Sequence, residues 1–133
     1  MKLRQLWIIL LVLAMLLALN FCSKTRVAAD QNVTLLFIYE DKNITATLTD
    51  EEAAKVIEIL NGNTYDPILL GYPSCGFRKD VALKVGNRRF SIASDACNCI
   101  YDASRLHYFD IPKEDMAYIH ALFEKYGGYF PCV

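Results

Sequence analysis

Four cysteines in the second half of the chain are the residues whose type and spacing could support chemistry: Cys75, Cys97, Cys99 and Cys132. Cysteines form disulfides, bind zinc as thiolates or act as redox pairs. Structural zinc sites usually combine two close cysteine pairs, whereas this sequence has a single C-x-C. A redox pair is typically C-x-x-C at the start of a helix. The pattern therefore favours structural disulfides.

The pairing of these cysteines is restricted by the C-x-C itself. A bridge between Cys97 and Cys99 would close a very tight ring, so we expect one of them to pair with Cys75 and the other with Cys132. In the chain-entropy description each such bridge contributes roughly 3 to 4 kcal/mol. A metal-binding module built on the four cysteines is the alternative.

Catalytic candidates are few. His107 and His120 are the only histidines, and no G-x-S-x-G or comparable nucleophile signature occurs. We therefore predict a protein that is not an enzyme and that needs no cofactor. The alternative is a small extracytoplasmic enzyme that uses His107 or His120 with a nearby carboxylate.

The N-terminal 22 residues have the features of an export signal. Lys2 and Arg4 precede an apolar run from Leu6 to Leu19. A run of about 14 apolar residues is short for a membrane-spanning helix. An uncleaved anchor that continues through Phe21 is the alternative to cleavage.

Two processing sites compete. Cys22 stands where an exported lipoprotein carries its acylated cysteine, although the preceding Leu19-Asn20-Phe21 matches a lipobox poorly. Val27-Ala28-Ala29 has the small-x-small pattern of ordinary signal cleavage. We favour a lipid anchor on Cys22, because it leaves an even four of the five cysteines for disulfides.

The remainder is predicted to be one domain. Residues 23–32 are interpreted as a tether and residues 33–133 as a single α+β domain. Beyond residue 22, twelve Lys and Arg stand against fifteen Asp and Glu, a net charge of −3. An acidic body argues against nucleic acid as a partner.

Local patterns predict the elements of this domain. Thr49 and Glu52 form a capping box that opens a helix ending at Gly62, and Pro112 opens a second helix ending at Gly127-Gly128. Gly86-Asn87 predicts a tight hairpin turn. Strands are predicted over 33–39, 44–48, 81–85, 89–93 and 106–111. The resulting order is β-β-α-β-β-β-α, an antiparallel sheet with two helices on one face.

A candidate binding surface combines a basic hairpin with an aromatic loop. Its residues are Tyr65, Tyr72, Phe77, Arg78, Lys79, Lys84, Arg88 and Arg89. Such a surface could bind an anionic envelope component or a protein partner, as an inhibitor would. The alternatives are a solvated hairpin and aromatic rings packed beneath the loop.

Two features of the sequence resemble small exported proteins and lipoproteins of Gram-positive bacteria. They are the cysteine spacing, with Cys75-Gly76-Phe77 and the C-x-C, and the ending Tyr126-Gly127-Gly128-Tyr129-Phe130-Pro131-Cys132-Val133. The resemblance covers residues 33–133. It implies an extracytoplasmic, membrane-tethered or secreted protein with bridged cysteines, and it implies no activity.

Overall fold

The computed structural model describes residues 2–21, 27–39, 41–62 and 74–130. The apolar N-terminal segment forms helix α1, Lys2–Phe21, whose side chains from Leu3 to Leu17 are all exposed. No helix in the described ranges combines the length and the apolarity that crossing a bilayer requires.

Six strands form one antiparallel sheet within the described residues. They are β1 Val33–Tyr39, β2 Lys42–Thr47, β3 Phe77–Val85, β4 Arg88–Ala93, β5 Cys99–Asp102 and β6 His107–Asp110. Their order across the sheet is β2-β1-β3-β4-β5-β6. Helix α2, Asp50–Asn61, lies between β2 and β3 in the chain, and helix α3, Lys113–Gly127, follows β6. The chain is therefore α+β, as the sequence predicts.

One face of the sheet, called here the core face, carries the hydrophobic core. Alternate residues of each strand point to this face. Its fully buried cross-strand partners are Leu35, Leu83 and Phe90 on β1, β3 and β4, and Ile92, Ile100 and Phe109 on β4, β5 and β6. They belong to one cluster with the buried side chains of α2 and α3. Removing this apolar surface from water is the main source of stability.

Helix α2 confirms the predicted capping box. The backbone N–H of Glu52 donates to Thr49 Oγ1 at 3.3 Å, and the backbone N–H of Thr49 donates to Glu52 Oε2 at 3.0 Å. Gly62 ends the helix, with its N–H bonded to the carbonyl oxygen of Glu58 at 2.9 Å. The buried residues of α2 are Ala53, Val56, Ile57, Ile59 and Leu60.

Helix α3 also begins and ends at its sequence signals. Pro112 is the residue just before the helix rather than its first residue, and Gly128 closes the helix at φ 89°. A positive φ of this size favours glycine. The buried side of the helix contains Met116, Ile119, Leu122 and Phe123. Phe123 packs against Phe37 of β1, with ring centroids 6.2 Å apart.

Glu52 joins the first turn of α2 to the last turn of α3. Its carboxylate accepts from Lys125 Nζ and from the Tyr126 hydroxyl, each at 2.6 Å. Burial of the carboxyl group raises its pKa, but the hydrogen bonds from Lys125, Tyr126 and the backbone of Thr49 outweigh burial and lower the pKa from 4.5 to about 2. The ionised carboxylate therefore stabilises the packing of the two helices.

The order of elements differs from the predicted one in two places. The apolar N-terminal segment forms a third helix, α1, and β5 occupies residues that the sequence does not identify as a strand. β5 has only four residues, and three of them are buried, so it lacks the alternation of polar and apolar side chains that marks a half-buried strand. It also contains a buried aspartate, Asp102, which sequence patterns associate with turns.

Candidate binding site

The face of the sheet opposite the core face, called here the second face, carries a row of cross-strand partners. The row runs through Leu36, Ala82, Ser91, Tyr101 and Tyr108, on β1, β3, β4, β5 and β6. Ala82 and Ser91, in the middle of the row, are small and buried. The larger side chains stand at the two ends of the row.

Three aromatic residues form a cluster at the β5–β6 end of the second face. Tyr101 and Tyr108 are direct cross-strand partners, and their rings stack with centroids 4.6 Å apart. The ring of Phe77 lies 5.9 Å from Tyr101 and 5.4 Å from Tyr108. We call these three rings the aromatic cluster. Such ring pairs contribute about 0.5 to 1.5 kcal/mol beyond the burial of their area.

A cleft of about 480 Å³ lies beside the aromatic cluster. It is lined by Phe77, Arg78, Arg89, Ser91, Tyr101 and Ala103. The volume is within the range of roughly 300 to 1,000 Å³ that is usual for small-molecule sites. Two arginines, a serine and two aromatic residues thus line one concave surface.

Positive charge continues from the cleft along the hairpin of β3 and β4. Lys84 and Arg89 are cross-strand partners on the second face, and both are exposed. Thr34 of β1 is the partner of Lys84 on its other side. The two cations next to each other create a field that attracts anions to this border of the cleft.

Arg88 belongs to the core face, although it is next to Arg89 in sequence. Its guanidinium donates to Asp102 Oδ2 at 2.5 Å, and it lies 4.9 Å from the centre of the Phe90 ring. The side chain of Asp102 is fully buried and that of Arg88 is 19% exposed. Arg88 is therefore held by Asp102 on the core face and does not line the cleft of the second face.

The predicted disulfide between Cys75 and one of the C-x-C cysteines is present. Cys75 is bonded to Cys97, with their Cα atoms 5.9 Å apart. Asp95 reinforces the link, because its carboxylate accepts from the backbone N–H of Gly76 at 2.7 Å and from that of Cys97 at 3.0 Å. The bridge fixes the chain immediately before Phe77, at the start of β3. It therefore holds Phe77 and Arg78 at the cleft.

The same residues form the one group of potential metal ligands within the described part of the chain. Ligand atoms of Cys75, Asp95 and Cys97 all lie within 4.8 Å of one another. In the oxidised protein the two sulfurs are bonded to each other, so a metal ion could use them only after reduction. Cys99 is buried at the start of β5. Cys132 lies outside the described residues, so its predicted bridge stays a prediction.

The two histidines lie on different elements. His107 of β6 is the cross-strand partner of Asp102, whose carboxylate already accepts from Arg88 and from the backbone N–H of Ser104. His120 of α3 stacks on Phe130, with ring centroids 3.8 Å apart. Burial disfavours the imidazolium and lowers the pKa of His120, and the charge of Glu124 opposes this shift in part. An enzymatic role of either histidine stays an alternative hypothesis.

Several predicted site residues cannot be placed on this surface. Tyr65, Tyr72 and the proposed lipid anchor Cys22 lie outside the described residues, and Lys79 is in β3 with its side chain outside the described part. In turn, the sequence interpretation missed Ser91, Ala103 and Tyr108. The sequence does contain a sign of Tyr108, because Tyr101 and Tyr108 lie at equal distances from the turn between β5 and β6. That symmetry indicates a cross-strand pair only if β5 is first recognised as a strand.

Comparisons with protein families, with curated proteins and with solved structures gave no match.

Proposed function

We propose that this protein is an exported, membrane-tethered and non-catalytic binding module that takes an anionic ligand in the cleft of the second face. The observation that carries this proposal is the lining of the cleft, where Arg78 and Arg89 lie beside Phe77 and Tyr101. A guanidinium group matches the geometry of a carboxylate or phosphate and can bind it through two parallel hydrogen bonds. The rings offer a rigid apolar surface to the rest of the ligand.

The chemistry of the lining narrows the class of ligand. One negative group would engage Arg89 at the exposed border, where Lys84 adds a second positive charge. Hydroxyl groups of the ligand could bond to Ser91, and its less polar face would lie on Tyr101. A sugar acid or a polyol phosphate, as an end group or a repeating unit of an envelope polymer, has this combination.

An extracytoplasmic location is consistent with the disulfide. Bridges such as Cys75–Cys97 persist in oxidising compartments and are rare in the cytosol. The charged and apolar N-terminal segment agrees with export, and a diacylglycerol group on Cys22 would hold the domain at the membrane. Such a group carries two acyl chains, and dual acylation is sufficient for stable anchoring.

The proposal is tested by titration calorimetry with three defined probes. These are an oligomer of glycerol phosphate, an oligomer of galacturonic acid and, as an uncharged match, an oligomer of galactose. We expect one of the anionic probes to bind and the neutral one to bind at least tenfold more weakly. The affinity should fall with added salt, because the contacts at the exposed border are screened.

Two charge reversals identify the surface that binds. Arg89→Glu should weaken binding of the anionic probe at least tenfold, since it replaces attraction by repulsion at the cleft. Lys113→Glu makes the same change in net charge at the exposed start of α3 and should leave the affinity unchanged. Equal effects of the two variants, or no binding of either anionic probe, would overturn the proposal.

A second candidate function is a metal-binding module in the reduced state. The specific observation in its favour is the grouping of Cys75, Asp95 and Cys97 within 4.8 Å. Stoichiometric zinc in protein isolated from the envelope without added oxidant would support it. Retention of the Cys75–Cys97 bridge in the same protein would exclude these two sulfurs as ligands.

A further inference from the structure

The residues just before β1 are part of the folded body, although the sequence suggests a tether there. Val27 is only 8% exposed and belongs to the core cluster. The backbone N–H of Gln31 is bonded to the carbonyl oxygen of Ala28 at 3.3 Å, which forms a turn between Val27 and β1. The packed domain therefore begins no later than Val27.

Asn61, the last residue of α2, forms hydrogen bonds with both backbone polar groups of Val27. Its Oδ1 accepts from the N–H of Val27 at 2.6 Å, and its Nδ2 donates to the carbonyl oxygen of Val27 at 2.9 Å. An amide side chain that satisfies both backbone groups of one residue replaces the partner that a neighbouring strand would supply. The pair is partly buried, so a chain without Val27 would leave the Asn61 amide without these bonds.

This arrangement bears on where the exported chain is processed. Cleavage after Ala29, at the small-x-small sequence, would remove Val27 and start the mature protein at Asp30. That product would lack a core side chain and both hydrogen bonds to Asn61. We propose that the mature protein keeps Val27, and that Val27-Ala28-Ala29 is a structural segment rather than a cleavage site.

The inference rests on the export part of the proposed function and is independent of the ligand in the cleft. It also limits how far the domain can lie from an anchor. If Cys22 carries the lipid, five residue steps separate it from Val27, and an extended chain spans at most about 17 Å over that length. The domain would then be held next to the membrane surface.

The deciding experiment is the intact mass of the full-length chain after expression in a bacterial host that exports and acylates proteins. We expect a mature chain that contains Val27. A chain that begins at Asp30 would overturn the inference. The matched variant Ala29→Tyr changes an exposed residue and blocks cleavage after position 29. It should alter the mass only by the substitution itself, and a longer mature chain in this variant would also overturn the inference.

The structural reason is tested separately in the full-length chain. Val27→Ser and Asn61→Ala should each lower the melting temperature by about 5 °C or more, since each removes packing or hydrogen bonds at this junction. Ala28→Ser, at the neighbouring exposed position, should change it little. Equal melting temperatures for all three variants would overturn the inference, and loss of ligand binding in the cleft would leave these results unchanged.

Discussion

The guanidinium of Arg88 on β4 donates to the buried carboxylate of Asp102 on β5, while the next residue, Arg89, is exposed on the opposite face of the sheet. The other carboxylate oxygen of Asp102 accepts from the backbone N–H of Ser104 at 3.0 Å. Two adjacent arginines therefore have different environments. One neutralises a buried charge, and the other lines the candidate binding cleft.

This difference predicts unequal effects of two matched substitutions on the free energy of unfolding. Arg88→Ala should lower the free energy of unfolding by about 3 kcal/mol, because it leaves the Asp102 carboxylate buried without its cation. Arg89→Ala should change the free energy of unfolding by less than about 0.5 kcal/mol, because the residue is exposed. Urea denaturation measures both values. Equal stability losses for the two variants would contradict the assigned environments.

Removal of the Cys75–Cys97 bridge should destabilise the domain and disturb the cleft. The sequence separation is 22 residues, for which the chain-entropy description gives about 3 kcal/mol. The double variant Cys75→Ser and Cys97→Ser should show this loss in urea denaturation. It should also weaken binding of the anionic probe, because Phe77 and Arg78 follow Cys75 by only two and three residues. Unchanged affinity in a folded double variant would show that the bridge does not position the cleft.

Glu52 should give the domain a stability that depends on pH. Its pKa is about 2 in the fold and 4.5 as a free group. The stabilisation is therefore complete above pH 4.5 and is lost as the pH falls through about 2. We expect about 2 kcal/mol, which is less than the full shift implies because Lys125 is 57% exposed and the pair is screened by solvent. Urea denaturation at pH 6 and pH 3 measures the part of this stabilisation that is lost before the pH reaches the folded pKa.

The control for Glu52 is the neutral variant Glu52→Gln. It keeps the size of the side chain and removes the charge that Lys125 and Tyr126 bind. It should therefore be less stable than the native chain at pH 6, and the difference should shrink at low pH. A constant difference across this range would contradict an ionised Glu52 as the source.

His120 should have its effect in a higher pH range. Its pKa is lowered from 6.5 chiefly by burial, so the folded state favours the neutral ring. Above pH 6.5 the ring is neutral in both states. As the pH falls below 6.5 towards the lowered pKa, the unfolded chain binds a proton first, so the free energy of unfolding decreases. His120→Phe should retain the stacking on Phe130 and remove this decrease. Thermal melts between pH 8 and pH 5 measure it, with Ala121→Ser as a variant at an exposed position of the same helix.

The short-range elements of this fold could be predicted because their signals lie within a few residues of one another. Thr49 and Glu52 are three residues apart, and they form the capping box that the sequence indicates. Gly86 has φ 57° in the turn between β3 and β4, which is the conformation that a glycine-containing hairpin turn requires. Each of these outcomes depends on local backbone geometry, which the rest of the chain does not change.

The composition of the cleft could be predicted only in part. Phe77, Arg78 and Arg89 were identified by residue type, and so was Lys84 at the border of the cleft. Tyr108 and Ser91 joined the site only through the pairing of β4 with β5 and of β5 with β6. Because β5 was not identified as a strand, the sequence did not place Ser91 or Tyr108 next to Tyr101.

Local sequence patterns were sufficient to predict the α+β class, the capped ends of α2 and α3, the basic hairpin and a bridge from Cys75 to the C-x-C. The packed fold was needed to show that Cys97 is the partner of Cys75, that Arg88 faces the core and that Val27 belongs to the domain. The physical reason is distance along the chain. Asp102 lies 14 residues from Arg88, and Asn61 lies 34 residues from Val27, so each contact exists only after the sheet and helices have packed.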